Sequence, residues 1–402
     1  MHNRLIQFAG RLRSMIGESA GSDLPSESAG RAGEEDRFNE LALDLFDCHF
    51  ELNPVYRRFC TNRGVESGRL ADWRQIPALP SSAFRACAIT CLDPGEWTAE
   101  FRSSGTTDAS PARHYHCPES LALYRESIWP WFRQNVRPGL VPGAADPPRV
   151  LSLIPSFADA PHSSLACMID SILERLGARD AVRAGRVDRA GAWALDIASA
   201  TAALDAGQAE GRPLLILGTA IAFVQLLEAI ESAGALYRLP PGTRIMETGG
   251  YKSRARTFSR PALVRRLERA FGVPRTHVVG EYGMCELSSQ GYTRPVPMAA
   301  PSSGGDSPPR SAGMPVWHDS PALPFFRFPP WARVRIRSPE TGELAGSREP
   351  GLIEVVDLAN VASVLALQTL DLGRLDLEGV ELIGRARDAE PRGCSRLMVE
   401  TV

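Results

Sequence analysis

Four short segments combine residue types that could bind a nucleotide, and the first is SSGTTDASPAR at residues 103–113. Hydroxyls and free backbone N–H groups could wrap a phosphate there, and a glycine would let the backbone approach closely. Arg113 could add a charge-assisted contact to a phosphate oxygen. The alternative is an ordinary polar turn. The phosphate-binding candidates are Ser103, Ser104, Gly105, Thr106 and Thr107.

The second segment is GEYGMCELSSQ at residues 280–290, where an apolar run leads into Tyr282, Gly283 and Glu286. A carboxylate placed at the end of a strand could hold Mg²⁺ beside a nucleotide phosphate. The ring of Tyr282 offers a flat face to a purine. The alternative is the first turn of a helix that carries a surface glutamate.

The third and fourth segments lie near the end of the chain. Asp371, within LQTLDLGRLD, follows a strand-like run and could accept hydrogen bonds from two ribose hydroxyls, although an aspartate that caps a turn would have the same pattern. The fourth is IGRARD, with Gly384 and Arg385, followed by RGCSRL around Cys394. For this fourth segment the alternative is a plain polar turn.

Two further side chains are candidates for chemistry. Lys252 is the one lysine of the chain and follows two glycines, so it could bind a phosphate or a carboxylate. An ordinary surface lysine is the alternative. His114, just past the first segment, could face an acyl carbonyl, whereas the alternative is a structural histidine.

The elements that must position these residues alternate between strand and helix. This spacing predicts a parallel α/β sheet. After Phe325 the pattern alternates and turns as antiparallel strands do. We predict strands at 150–154, 213–218, 243–250 and 277–283, and helices at 163–176, 219–233 and 260–271.

The N-terminal part is predicted to be helical with one linker. Residues 1–16 could form a short amphipathic helix, and residues 17–36 have the composition of a flexible linker. Pro54 should kink or divide the helix predicted after residue 37, and Pro130 should kink or end the helix predicted at 119–135. We expect an N-terminal region at 1–36, a main domain at 37–380 and a tail at 381–402.

The composition excludes several classes of protein. The net charge is -2, from 45 basic and 47 acidic residues, so no field of one sign points to nucleic acid or an anionic membrane. We find no signal-peptide core and no apolar run of membrane-spanning length. The eight cysteines are scattered, and the Cys87–Cys91 pair has no second pair with which to bind zinc. We therefore expect a cytoplasmic protein with reduced thiols.

In their order along the chain, the four segments resemble the motifs of the adenylate-forming enzymes, which include acyl-CoA synthetases, luciferases and adenylation domains. The resemblance implies a layered α/β adenylating domain with a β-rich C-terminal segment, and ATP and Mg²⁺ as cofactors. It also implies that Thr106 and Thr107 hold phosphate, that Glu286 binds Mg²⁺ and that Asp371 binds ribose. Gly384 and Arg385 match the hinge of that superfamily.

A narrower resemblance is to the acyl-protein synthetases, the long-chain-fatty-acid–luciferin-component ligases, and it covers about residues 35–400. It implies that a fatty acid is activated as an acyl-adenylate and passed to Cys394. An acyl-reductase or acyl-transferase would then be the partner protein. The segments that carry it are HSSLACMID, LILGTAIAFVQLLE, METGGYKSRAR and RGCSRL.

The chain departs from the superfamily pattern at several positions. Cys285 replaces the usual threonine, Asp108 the usual glycine, and Arg113 the usual lysine of the loop. The chain after Asp371 is short, so we expect the full C-terminal lysine domain to be missing. Two alternatives therefore stay open: a ligase that uses coenzyme A or a carrier, as phenylacetate–CoA ligases do, and an acyl-binding or scaffold protein without catalysis.

Overall fold

The computed structural model describes residues 1–21, 31–103, 110–136, 148–249, 259–293 and 325–386. None of the helices in these ranges is both long and apolar enough to cross a bilayer. In chain order the helices α1 to α9 are Asn3–Gly21, Arg31–Leu52, Pro54–Thr61, Ala83–Ala86, Pro118–Val136, Ser164–Leu176, Ile197–Glu210, Ala220–Ser232 and Arg260–Phe271. Short 3-10 turns lie at Trp73–Gln75, Pro94–Glu96 and Arg275–His277.

The strands are mostly short, and the longest of them lie near the end of the described chain. In chain order, β1 to β16 are Leu79–Pro80, Ala99–Arg102, Arg113–His116, Arg149–Ser152, Val182–Arg183, Gly185–Val187, Trp193–Leu195, Leu214–Thr219, Arg244–Thr248, Val278–Tyr282, Gly291–Thr293, Phe326–Arg327, Ala332–Arg337, Gly351–Asp357, Ala366–Asp376 and Gly379–Arg385.

Most of the described strands belong to one mixed sheet. Strands β5, β4, β8, β9 and β10 are parallel neighbours in that order, and the sheet then continues through β11, β12, β16, β15, β14 and β13 with antiparallel pairing. The predicted α/β fold with a β-rich C-terminal part is confirmed. Thr219, Thr248 and Glu281 are in register, so the carboxyl ends of three parallel strands share one edge.

The parallel strands are apolar on both faces, which explains why helices cover both sides. Leu215 and Leu217 of β8 point into the hydrophobic core that includes α5 and α6. Leu214 and Ile216 point into a second core, formed with α7, α8 and α9. Strands covered on both faces are typical of layered α/β domains. The predicted layered architecture therefore follows from these continuous apolar runs.

Local signals set the ends of the helices. In α6, Ser163 caps the first turn by accepting a hydrogen bond from the N–H of Ala166 at 3.1 Å, and Gly177 ends the helix with a φ of 61°. Thr219 and Ser259 cap α8 and α9 in the same way. These caps explain why the predicted helices at 163–176, 219–233 and 260–271 agree with the structure to within about one residue at each end.

The N-terminal helices are longer than the sequence indicated. Helix α1 reaches Gly21 and α2 begins at Arg31, so both extend into the segment 17–36 that we predicted to be a linker. Tertiary contacts explain the extension of α2, because Glu35 accepts a hydrogen bond from Trp73 Nε1 at 2.9 Å and pairs with Arg74 at 2.7 Å. Such contacts outweigh the low helix propensity of the segment.

The two prolines have different effects. Asn53 separates α2 from α3 and caps the latter, with Pro54 in its first turn, so Pro54 divides the helical stretch as predicted. Helix α5 instead continues past Pro130 to Val136. Of the two outcomes predicted at Pro130, a kink or an early end, the early end does not occur, because burial of Trp129, Trp131 and Phe132 holds the helix together on both sides of the proline.

A buried ion pair ties the antiparallel part of the sheet to the turn at Trp73–Gln75. Arg335 of β13 contacts Glu354 of β14 at 2.5 Å and donates to the carbonyls of Trp73, Arg74 and Ile76. Arg337 pairs with the same carboxylate at 2.9 Å but is more exposed. Removing the buried member of such a cluster leaves several polar groups without partners.

We expect Arg335→Leu to lower the free energy of unfolding by about 3 to 5 kcal/mol, because the carbonyls of Trp73, Arg74 and Ile76 lose their donor and Glu354 keeps only the more exposed Arg337. Arg337→Leu, two residues further along the same strand, should cause a smaller loss because Arg335 keeps its bonds to Glu354 and to the three carbonyls. Urea unfolding of both variants measures the difference. Equal losses would contradict this account of the cluster.

Candidate active site

Two of the sequence motifs meet through one hydrogen bond. Tyr282 ends β10, and Asp371 lies in β15, 89 residues further along the chain. The Tyr282 hydroxyl donates to Asp371 Oδ2 at 2.8 Å. Burial raises the pKa of Asp371, although the bond from Tyr282 and the charge of Arg385 act in the opposite direction. The site therefore lies where the parallel and antiparallel parts of the sheet come together.

Arg385 brings the fourth motif to the same place. It pairs with Asp371 across β15 and β16, and its Nε lies 4.0 Å from Asp371 Oδ1. Its side chain is largely exposed, so the guanidinium can also reach a ligand. The Tyr282 ring packs against Phe326 and Phe328, with centroids 5.8 and 6.0 Å away. The second, third and fourth segments thus form one cluster.

Gly283 is required by the carboxyl group of Glu281. A Cβ at position 283 would lie 2.4 Å from Glu281 Oε1, so a larger residue would displace that carboxyl. Thr248 of β9 lies opposite Glu281 of β10 and donates a hydrogen bond to its carboxyl group. Burial raises the pKa of Glu281 to about 7; the hydrogen bond from Thr248 opposes this, and the charge of Glu247 adds to it.

Sequence reasoning did not single out Glu281 as a site residue. The available signal was an acidic residue inside an otherwise apolar strand, VVGEY, followed by a glycine. Its burial could not be inferred without knowing that α5 and α6 cover this face of the sheet. Its carboxyl group is largely protonated at mildly acidic pH, is bonded to Thr248 and belongs to the residue before Tyr282 in β10.

Glu286 lies in the segment after β10 and is buried. Its Oε2 accepts a hydrogen bond from Cys285 Sγ at 3.1 Å, and burial raises its pKa. Among the described residues, no group of three or more His, Cys, Asp or Glu side chains could hold a metal ion. Mg²⁺ nevertheless needs only one or two carboxylates when phosphates and water complete its shell, so a single Glu286 fits this ion.

His114 holds the residue before Glu286. Its Nδ1 lies 2.8 Å from the carbonyl oxygen of Cys285, and because a carbonyl only accepts, Nδ1 carries the proton. Burial lowers the pKa of His114 to about 4, so the ring is neutral near pH 7. The His116 ring lies 4.3 Å away, centroid to centroid. The Nε2 atoms of both rings are buried without a partner among the described residues.

The first segment is anchored as the connection between two strands. Strands β2 and β3 pair with Arg102 opposite Arg113. Ser103 closes the base of the loop with two hydrogen bonds: its N–H donates to the carbonyl of Ala112, and its Oγ accepts from the N–H of Ala112 at 2.9 Å. Arg113 is half exposed, and its Nε lies 3.8 Å from Glu100. His114, which contacts the Cys285 carbonyl, follows at once, so the loop returns beside the Glu286 segment.

Several candidate residues fall outside the described part of the chain. The candidate phosphate-binding segment is therefore described only at Ser103 and at residues 110–113, and the roles predicted for its remaining members stay predictions. The same holds for the lysine and for the C-terminal cysteine. These residues are Ser104, Gly105, Thr106, Thr107, Lys252 and Cys394.

We expect Glu281→Gln to gain stability relative to the natural chain as the pH rises. The folded pKa of Glu281 lies above its usual value, so its contribution to stability is complete at low pH and decreases between about pH 4.5 and 7. Glutamine does not titrate, so the difference in unfolding free energy should grow by up to roughly 3 kcal/mol over that window and then stay level. Denaturant unfolding from pH 4 to 8 measures it.

The control is Glu340→Gln, the same substitution at an exposed position of the antiparallel part. It shows what the Glu-to-Gln exchange alone does to the unfolding free energy at each pH. A curve for Glu281→Gln with the same pH dependence as this control would show that burial does not perturb the carboxyl group of Glu281.

No protein-family model matches the chain, and no curated protein matches it in sequence. Solved structures do match. An open conformation of 2-hydroxyisobutyryl-CoA ligase in complex with 2-HIB-AMP and CoA is 14% identical, with 92% of this chain and 81% of that chain covered and a TM-score of 0.55. The same ligase in the thioesterification state is 16% identical, with 92% of this chain and 73% of that chain covered and a TM-score of 0.59. This similarity shows that the chain has the fold of an adenylate-forming CoA ligase.

Proposed function

We propose that this protein activates a carboxylic acid with ATP as an acyl-adenylate and transfers the acyl group to a thiol. The observation that carries the proposal is the hydrogen bond from Tyr282 to Asp371, with Arg385 alongside. It joins the motif of Tyr282 to two successive motifs near the end of the described chain, and all three resemble the nucleotide-binding motifs of adenylate-forming enzymes. The ligase of the same fold binds an acyl-AMP and CoA in its solved structures, which supports the same chemistry here.

The residues present fit a bound ATP molecule. The carboxylate of Asp371 is positioned by Tyr282 and partly exposed, so it can accept the ribose hydroxyls. The loop of residues 103–107 would hold the phosphates, and its return at Arg113 leads directly into His114, which contacts the residue before Glu286. Lys252 is a further candidate for a phosphate or carboxylate contact.

Glu286 is the residue that would hold Mg²⁺. Its buried carboxylate has a raised pKa, so a divalent cation next to it would recover the electrostatic energy that burial costs. When bound, the ion neutralises charge on the leaving pyrophosphate.

We further propose a fatty acid as the substrate and Cys394 as the thiol that receives the acyl group. The Cys394 thiolate would attack the acyl carbonyl of the adenylate, the bond to the phosphate oxygen would break, and AMP would leave as a thioester forms. The thioester would then pass to an acyl-reductase or acyl-transferase. His114 is neutral and holds the Cys285 carbonyl, so we assign it to supporting the site as well as to the predicted contact with the acyl group.

A second candidate function is transfer to coenzyme A. It is favoured by the similarity to a ligase whose structures contain CoA together with an acyl-AMP. The two functions share the activation step and differ only in the thiol. The acceptor can therefore be identified by removing the Cys394 thiol.

Intact-protein mass spectrometry tests the proposal. The natural chain, Cys394→Ser and the control Cys87→Ser, a partly buried cysteine of a different region, are incubated with ATP, Mg²⁺ and a panel of fatty acids. We expect a hydroxylamine-labile acyl adduct on the natural chain and on Cys87→Ser, and none on Cys394→Ser.

The other outcomes distinguish the alternatives. If acyl-CoA forms when CoA is added, and forms equally well with Cys394→Ser, the acceptor is CoA. If neither an adduct nor AMP appears with any acid, the adenylating function is wrong and an acyl-binding or scaffold protein becomes the better explanation.

We also expect Tyr282→Phe to raise the KM for ATP in pyrophosphate exchange by about tenfold. The change removes only the hydroxyl that positions Asp371, and hydrogen bonds to charged groups contribute about 1.5 to 3 kcal/mol. The control is Tyr292→Phe, because the hydroxyl of that buried tyrosine contacts Met168 Sδ at 4.0 Å and lies away from Asp371. If the KM for ATP is unchanged in Tyr282→Phe, Asp371 does not bind the nucleotide in the proposed way.

A further inference from the structure

The segment that carries Glu286 is buried without forming regular structure. Residues 283–290, which we call the connecting segment, join β10 to β11, and residues 285–290 are all buried. Neither helix nor sheet satisfies their backbone polar groups, and apart from the turn bond from the N–H of Leu287 to the carbonyl of Met284, side chains of other elements bind several of them. The partners of this segment therefore decide where Glu286 points.

Three elements hold the far end of the connecting segment. Asp357, at the end of β14, accepts hydrogen bonds from the N–H of Ser288 at 2.8 Å and from Ser289 Oγ at 2.7 Å. Ser127 of α5 donates to the carbonyl of Ser288 at 3.1 Å. Trp331 Nε1 donates to Ser289 Oγ at 3.1 Å. All of these contacts lie beyond Glu286 rather than on it.

Asn360 binds the main chain of Glu286 itself. Its Nδ2 donates to the carbonyl of Glu286 at 3.0 Å and to the carbonyl of Val364 at 2.8 Å, and its Oδ1 accepts from Ser288 Oγ at 3.0 Å. The side chain is fully buried. Every part of the amide is therefore used, and aspartate could not replace it because a carboxylate has no hydrogen to donate.

We infer that Asn360 is a positioning residue for the Glu286 carboxylate and so sets the affinity of the site for a divalent cation. The inference rests on the proposed function, in which Glu286 holds the cation beside ATP. His114 fixes the carbonyl before Glu286 and Asn360 fixes the carbonyl of Glu286, so the two residues immobilise consecutive peptide groups. A ligand held in place loses less conformational freedom on binding than a ligand on a loose segment.

Asn53 provides a matched control. It is also fully buried, its Nδ2 donates to the carbonyl of Ser363 in the same turn after β14, and its Oδ1 caps α3 by accepting from the N–H of Tyr56. Asn53→Asp keeps the cap and removes one donor to that turn. It therefore disturbs the turn without touching Glu286, whereas Asn360→Asp removes the donor to Glu286.

The test measures Mn²⁺ bound by the full chain, by electron paramagnetic resonance, in the presence of a non-hydrolysable ATP analogue. We expect Asn360→Asp to weaken Mn²⁺ binding by about tenfold or more, as the loss of residues that support a metal ligand does. Asn53→Asp should bind Mn²⁺ as the natural chain does. The Mg²⁺ concentration for half-maximal pyrophosphate exchange should shift in Asn360→Asp alone.

Equal Mn²⁺ affinity in Asn360→Asp and Asn53→Asp, with both folded, would overturn the positioning role. If Asn360→Asp does not fold, Ser288→Ala replaces it, because this variant removes only the hydroxyl that donates to Asn360 Oδ1. Ser288→Ala should also weaken Mn²⁺ binding, and unchanged binding would overturn the inference. A natural chain that binds Mn²⁺ with the nucleotide but forms no acyl-adenylate would overturn the proposed function alone. A natural chain that binds no Mn²⁺ would overturn both.

Discussion

Four carboxyl groups lose most of their hydration where the parallel part of the sheet meets the antiparallel part, and the surrounding structure compensates for this cost. In each of them burial raises the pKa, and each receives at least one hydrogen bond in return. Thr248 and Tyr282 supply two of these bonds, and the connecting segment supplies the others. The four groups are Glu281, Glu286, Asp357 and Asp371.

The order of the helices and strands could be predicted from the sequence, because the residues that mark their ends are local signals. Helix α9 occupies the predicted residues, since Ser259 and Gly272 mark its two ends. The extension of α2 to Arg31 could not be predicted, because the contacts of Glu35 with Trp73 and Arg74 depend on tertiary structure. The same reason explains why α5 continues through Pro130.

The candidate site, too, could be predicted from the sequence only in part. The proximity of Tyr282 to Asp371 was implied by the order of motifs that resemble a known superfamily, and the structure shows the contact. Asn360 gave no signal, because it lies 74 residues from Glu286 and its partners are backbone carbonyls, which any sequence offers. Glu281 gave a weak signal, since an acid within an apolar strand does not indicate which face it occupies or what covers it.

The N-terminal helices complete the support of this site. In α2, the Nε2 of His49 lies 3.1 Å from the carbonyl oxygen of Val361, and its Nδ1 accepts from the N–H of Leu365. Burial lowers the pKa of His49 to about 4, although the hydrogen bond to the Val361 carbonyl acts in the opposite direction. The ring is therefore neutral near pH 7, as the acceptor role of Nδ1 requires. The turn held in this way carries Asn360, which holds Glu286. The two histidines that fix these main-chain groups, His49 and His114, are therefore neutral near pH 7, and the ionisable side chains of Glu286, Asp371 and Arg385 are left to act on a ligand.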